Sequence, residues 1–152
     1  VRTRLLIARE RPDSADARAL IDELETELAP LAPPEVRFGY GIADLLRHEV
    51  RFSVMRLAAA PIGCGGYQLY GDYAELKRMY LRPLYRGRGF NQLLIQHLAA
   101  EARREGATCL RLETGVNQPA AISSYERAGF VRRPPFGSYP DDPLCLFYER
   151  PL

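Results

Sequence analysis

Hydrophobic and polar positions change period several times along the chain. From Ala15 to Leu28, apolar Ala17, Leu20, Ile21, Leu24 and Leu28 recur at helical spacing, with Asp22, Glu23, Glu25 and Glu27 outside the stripe. Pro12-Asp13-Ser14 supplies the start of this amphipathic helix, and Pro30, Pro33 and Pro34 end it. Ahead of it, Thr3 to Ala8 reads as a strand. Behind it, Glu35 to Ile42 is rich in turn residues and leads to a short helix from about Ala43 to Glu49. Arg51 to Ala59 and Pro61 to Tyr70 read as a hairpin around Ala59-Ala60-Pro61, and Tyr73 to Leu81 as the next antiparallel strand. Gly63, Gly65 and Gly66 in the second hairpin strand signal a bulge or close packing.

Helical spacing returns at Phe90, Leu93, Leu94 and Leu98, and Gly106 is a natural end for that helix. Thr108 to Glu113 alternates as a short strand. Gln118-Pro119 opens a further helix that carries Tyr125 and stops at Gly129. Phe130 to Arg132 and Leu144 to Glu149 are closing strands, joined by the loop Pro134 to Pro143. The order predicts an α/β (α+β) fold: a mixed central sheet of about six to seven strands with about four helices on its two faces. At 152 residues, residues 1–152 are read as a single domain.

Charge and cysteines narrow the function classes. A formal net charge of +2 does not suit a general polyanion binder, and no aromatics interleave the arginines as a nucleic-acid surface requires. Cys64, Cys109 and Cys145 stand singly in apolar runs, with no metal or disulfide spacing, and are expected as buried thiols. No signal peptide or membrane-length apolar run is read, so the expected setting is cytoplasmic, with no metal, nucleic-acid or membrane partner. His48 is expected at the surface or as a cap.

The informative stretch runs from Glu75 to Leu98. Glu75 to Leu81 is a strand whose alternation puts Met79 and Leu81 on one face and Leu76 and Tyr80 on the other. Pro83 ends its ladder, Arg86-Gly-Arg-Gly follows, and a helix begins at Phe90. Gly87 and Gly89 permit positive φ and keep Cβ atoms away from an anion. The first helical turn offers unpaired N–H groups at the positive end of the macrodipole, and Arg86 and Arg88 are expected at the same rim. Such a corner binds phosphate. Neither a P-loop nor a Rossmann glycine fingerprint is present.

Arg86-Gly87-Arg88-Gly89-Phe90-Asn91 resembles the acetyl-CoA motif of the GNAT N-acetyltransferases, Gln/Arg-x-x-Gly-x-Gly/Ala, with Asn91 in place of the final Gly or Ala. Ala121-Ile-Ser-Ser-Tyr125-Glu-Arg-Ala-Gly129-Phe130 is similar to the family's Ala-Ile-x-x-Tyr-Glu-x-x-Gly-Phe segment, in the expected order. Tyr148-Glu-Arg-Pro-Leu and Glu113-Thr-Gly resemble a bacterial small-molecule-type branch. The resemblance implies a sheet splayed at its middle, between the strand ending at Leu81 and that from Thr108 to Thr114, with acetyl-CoA as cosubstrate in the opening. The cofactor-binding residues it implies are Met79, Tyr80, Leu81, Arg86, Gly87, Arg88, Gly89, Phe90, Asn91, Asn117, Gln118 and Tyr125.

It also implies chemistry. The Met79 N–H would donate to the thioester oxygen and tighten on the tetrahedral oxyanion. Tyr125, a phenol protonated at neutral pH, would protonate the departing thiolate. Glu75, eleven residues before Arg86 and by parity on the face of Met79 and Leu81, is the candidate base, directly or through a water. Phe38, Tyr40, Tyr67 and Tyr139, with Tyr70, Phe136, Asp141 and Asp142 nearby, are expected to wall the acceptor site and suit a small cationic amine. The expected function is transfer of acetyl from acetyl-CoA to a primary amine of a small molecule, amino acid or peptide by direct attack in a ternary complex. The alternative is an acyl-CoA-binding regulator of weak turnover, and a homodimer is left open.

Overall fold

A computed structural model describes residues 4–152, so the Thr3 end of the first expected strand lies outside the described residues. Seven strands form one sheet: β1 (Leu5–Arg9), β2 (Arg51–Leu57), β3 (Ala60–Tyr70), β4 (Tyr73–Leu81), β5 (Cys109–Gly115), β6 (Val131–Arg133) and β7 (Cys145–Pro151). Their order is β1-β2-β3-β4-β5-β7-β6, and every neighbouring pair is antiparallel except β4 and β5. The helices are α1 (Ala15–Leu28), α2 (Ile42–Arg47), α3 (Phe90–Arg104) and α4 (Pro119–Arg127). No helix among the described residues is long and apolar enough to cross a membrane.

Helix α1 buries the face its spacing marked out, whereas on α3 Leu93 of the expected stripe is exposed and Ile95 is buried in its place. Ala17, Leu20, Ile21 and Leu24 of α1 and Leu45 of α2 pack on Phe52, Val54, Cys64 and Tyr80. On the opposite face Leu94, Ile95, Leu98, Ala99 and Ala102 of α3 and Tyr125 of α4 pack on Met55, Ile62, Leu76, Leu110 and Leu112. Full burial of side chains such as Leu20 and Leu98 contributes roughly 1.5–3 kcal/mol each. Ser14 caps α1, its Oγ accepting from Ala17 N at 3.2 Å.

Two local details differ from the sequence reading. The hairpin turns at Ala58-Ala59, both at positive φ (50° and 71°), rather than around Ala59-Ala60-Pro61; paired positive φ is the geometry whose twist matches a two-residue hairpin. Alternation along β4 breaks at Arg78, also at positive φ (56°), where the register with β3 slips between Cys64 and Gly66. Leu76, Met79 and Leu81 therefore share the α3 face, while Glu75, Lys77 and Tyr80 lie on the other. Glu75 is thus not on the face of Met79 and Leu81 as parity required. Gly65 stands opposite the bulge because the Met79 thioether fills its side-chain space; a Cβ there would meet Sδ at 2.3 Å.

Candidate active site

The parallel neighbours β4 and β5 pair only at Tyr73↔Cys109, Ala74↔Leu110 and Glu75↔Arg111. Beyond Glu75 the two strands part, although β4 continues to Leu81 and β5 to Gly115. Their facing edges leave a cleft of about 330 Å³ lined by both strands, by Asn117, Gln118 and Tyr125, and by Phe38 and Tyr139 at its other end. Strand edges without a strand partner offer N–H and C=O groups to an extended ligand.

The glycine corner follows β4 and does not itself line this cleft; Asn91 and Gln92 tie it to Ser124, next to the cleft-lining Tyr125. Gly87 and Gly89 both take positive φ (77° and 83°), and Gly89 opens α3 with no side-chain cap on its first turn. Its free N–H groups suit an anion. Arg88 makes no ion pair among the described residues. Arg86 departs from expectation: its Nε donates to Leu81 O at 2.8 Å and its Nη2 pairs with Glu27 at 2.8 Å, so its charge is spent on tying the corner to α1. Asn91, the departure from the motif, turns its amide to α4 and donates to Ser124 Oγ at 2.6 Å. Gln92 donates to Ser124 O at 2.9 Å, so α3 and α4 are locked together one residue before Tyr125. Phe90 packs edge-on against Tyr85.

Tyr125 is buried and lines the cleft, its ring edge-on to Phe130. Burial, and then the nearby charge of Glu113, push its phenol well above the usual tyrosine value, so it is a proton donor at neutral pH. Asn117 and Gln118 also line the cleft, although the Asn117 amide already donates to Leu31 O at 2.9 Å. Tyr80 turns its hydroxyl to Glu23 on α1, leaving only its backbone for a cofactor.

The other end of the cleft gathers charge. Glu75 is buried, pairs with Lys77 Nζ at 3.0 Å and accepts from the Tyr139 hydroxyl. Lys77 also reaches the Tyr139 hydroxyl at 3.2 Å and sits 4.1 Å from the Tyr40 ring centre. Across the gap stands Glu113 of β5, which the sequence reading did not single out as a chemical group. Burial and then the charge of Glu75 push its carboxyl up to about 7, against the pull of the Cys145 thiol and Lys77. A carboxyl poised near neutrality inside a cleft is suited to proton transfer. The legible signal was an acid closing the alternating strand that borders the parting.

Of the expected acceptor walls, Phe38 and Tyr139 line the cleft. Tyr40 stands behind Lys77, stacked on exposed His48, with its hydroxyl 3.4 Å from that of Tyr70. Tyr67 does not belong to the site. It is fully buried on the α3 face and its hydroxyl reaches Glu105 and Arg9, because its position on β3 directs it there. Phe136 packs on Phe147 beneath Tyr139, and Asp142 accepts from Leu144 N at 2.8 Å within the loop. Cys64 and Cys145 are buried free thiols, and Cys109 is half-buried with its Sγ 3.3 Å from Glu149.

The profile of the Acetyltransferase (GNAT) family matches residues 16–130. The IAA acetyltransferase of Azospirillum brasilense is 40% identical over 148 residues, 96% of this chain and 97% of its own. A solved structure from Klebsiella pneumoniae, provisionally assigned as an acyl-CoA N-acyltransferase, superposes with a TM-score of 0.80 at 34% identity, covering 97% of each chain. The PaiA N-acetyltransferase of Thermoplasma acidophilum, solved in complex with coenzyme A, shares the fold with a TM-score of 0.73 at 17% identity, over 98% of this chain and 99% of its own. A family match over residues 16–130, joined by a 40% identical relative spanning nearly the whole length, makes this chain a member of the GNAT family of N-acetyltransferases.

Proposed function

We propose that the protein moves the acetyl group of acetyl-CoA to a primary amine by direct attack in a ternary complex. The observation that carries this reading is the parting of β4 from β5 after Glu75, with Tyr125 and Glu113 both bordering the gap. The pyrophosphate would lie on the amides of Gly87 to Asn91, and the pantetheine arm along the free edge of β4. A neutral amine then attacks the thioester carbon. The C–N bond forms, the C–S bond breaks, the amine proton passes to Glu113, and Tyr125 protonates the departing thiolate. The Met79 N–H would hold the oxyanion.

Glu113 replaces Glu75 as our candidate base. The Glu75 carboxylate is already engaged by Lys77 and Tyr139, whereas the raised affinity of Glu113 for a proton matches the task. Glu75 and Lys77 would then set the charge that Glu113 feels. The test is release of free thiol from acetyl-CoA with a panel of primary amines, with IAA, the compound in the name of the Azospirillum relative, run beside them. Amine-dependent thiol release with a matching acetylated product is expected. Absence of both, together with no binding of coenzyme A, overturns the reading.

A further inference from the structure

Among the charged groups of the cleft lining that the transfer chemistry leaves unused, Arg78 is the buried one. Arg78 sits at the β4 bulge and its side chain is 3% exposed. It lines the cleft beside Phe38, Gly39, Lys77 and Met79. Its Nε is buried without a hydrogen-bond partner, and its carboxylate partner is Glu25 of α1, whose side chain is 48% exposed. Gly39 makes room for the guanidinium, since a Cβ there would lie 1.8 Å from Nη1. The neighbouring Lys77 is in a different position, because Glu75, Tyr139 and Tyr40 already surround its ammonium.

An ion pair with a buried cation and a half-solvated anion is unevenly held. Glu25 regains water by swinging outward, while Arg78 stays in place and needs a replacement anion. A planar guanidinium with unused N–H groups beside a cavity is suited to a carboxylate, which can accept from two nitrogens at once. We propose that Arg78 binds a carboxylate on the acceptor, and that Glu25 holds that place until the acceptor enters. This rests on the acetyl-transfer reading and narrows it: the acceptor is an amine that also bears a carboxylate, as in an amino acid. Its amine faces the Glu113 end, and Phe38 and Tyr139 flank its apolar part.

The test compares amino acids with their own carboxamides, phenylalanine against phenylalaninamide among them, by kcat/KM for thiol release. The acids are expected to be favoured by about tenfold or more, the scale of one charge-assisted hydrogen bond. Arg78→Lys, which keeps the charge but loses the fork, and Gly39→Ala, which crowds it, should both collapse that ratio. Glu25→Gln should lower KM for the acids selectively, and this surface change serves if the buried variants fail to fold. Carboxamides reacting as well as acids, or a preference that survives in Gly39→Ala and is unmoved in Glu25→Gln, overturns the proposal while leaving acetyl transfer standing. If neither series releases thiol, this proposal falls, and acetyl transfer is then judged by the wider amine panel and by coenzyme A binding.

Discussion

The glycine corner and the acceptor end of the cleft are made of different material. At the glycine corner the binding groups are backbone: amides of residues at positive φ and the uncapped first turn of α3. They come from one continuous stretch of chain. At the acceptor end the groups are side chains from separate elements: Glu75, Lys77 and Arg78 from β4, Glu113 from β5, Phe38 from the loop before α2, and Tyr139 from the loop between β6 and β7. A site of backbone tolerates exchange of its side chains but not of its conformation. A site of side chains has the reverse sensitivity, and that contrast can be tested.

The largest effect is expected where the two regions meet. Tyr125→Phe should lower kcat by about 10²-fold or more and leave the KM for acetyl-CoA nearly unchanged, measured by steady-state thiol release. A variant with the parental kcat removes the phenol from the mechanism. At the corner, Gly89→Val places a β-branched residue at φ 83°, which costs on the order of 1–3 kcal/mol and disturbs the amides. Its KM for acetyl-CoA should rise about tenfold or more, with little change in the acceptor KM. A selective rise in the acceptor KM would contradict the division of labour.

Glu113→Gln probes the acceptor end through pH. In the parent, kcat/KM should rise with pH as a carboxyl near 7 loses its proton, and this limb should vanish in the variant. Stability gives an independent sign. The folded carboxyl keeps its proton up to about pH 7, whereas the unfolded one releases it near 4.5. The stabilisation is therefore complete below about pH 4.5 and lost as pH rises to about 7, by at most roughly 3 kcal/mol. Glu113→Gln should then raise Tm at pH 8 but not at pH 4; an equal shift at both would argue against the raised proton affinity. The smallest kinetic effect belongs to Tyr67→Phe. It removes a hydroxyl bonded to Glu105 on the far face, so about 1 kcal/mol of stability should go while kcat/KM changes less than about twofold. A large kinetic loss would return Tyr67 to the site.

The same contrast governs what could be read without coordinates. Helices α1 and α3 follow from spacing that repeats within a single element, α4 from its Gln118-Pro119 start and Gly129 stop, and the corner from glycines two residues apart beside a helix start. Parity in β4 failed because one positive-φ residue, Arg78, inserts a half-step that no local preference of arginine announces. Tyr67 was grouped with the other aromatic residues as an acceptor wall, but its position on β3 places it on the α3 face. Arg86 looked like a phosphate ligand, and only the approach of α1 reveals Glu27 as its partner.

Taken alone, the order of amino acids determined the glycine corner, the stripe of α1, the existence of the other helices and the mixed sheet, because those depend on short-range periodicity and backbone preference; Tyr125 was picked out by resemblance to the family. Tertiary structure decided which face Glu75 occupies, that Glu113 is held near neutrality, and that Arg78 is buried against a solvated partner. Proton affinity and ion pairing depend on burial and on charges brought together from distant parts of the chain, and neither quantity exists until the strands have parted.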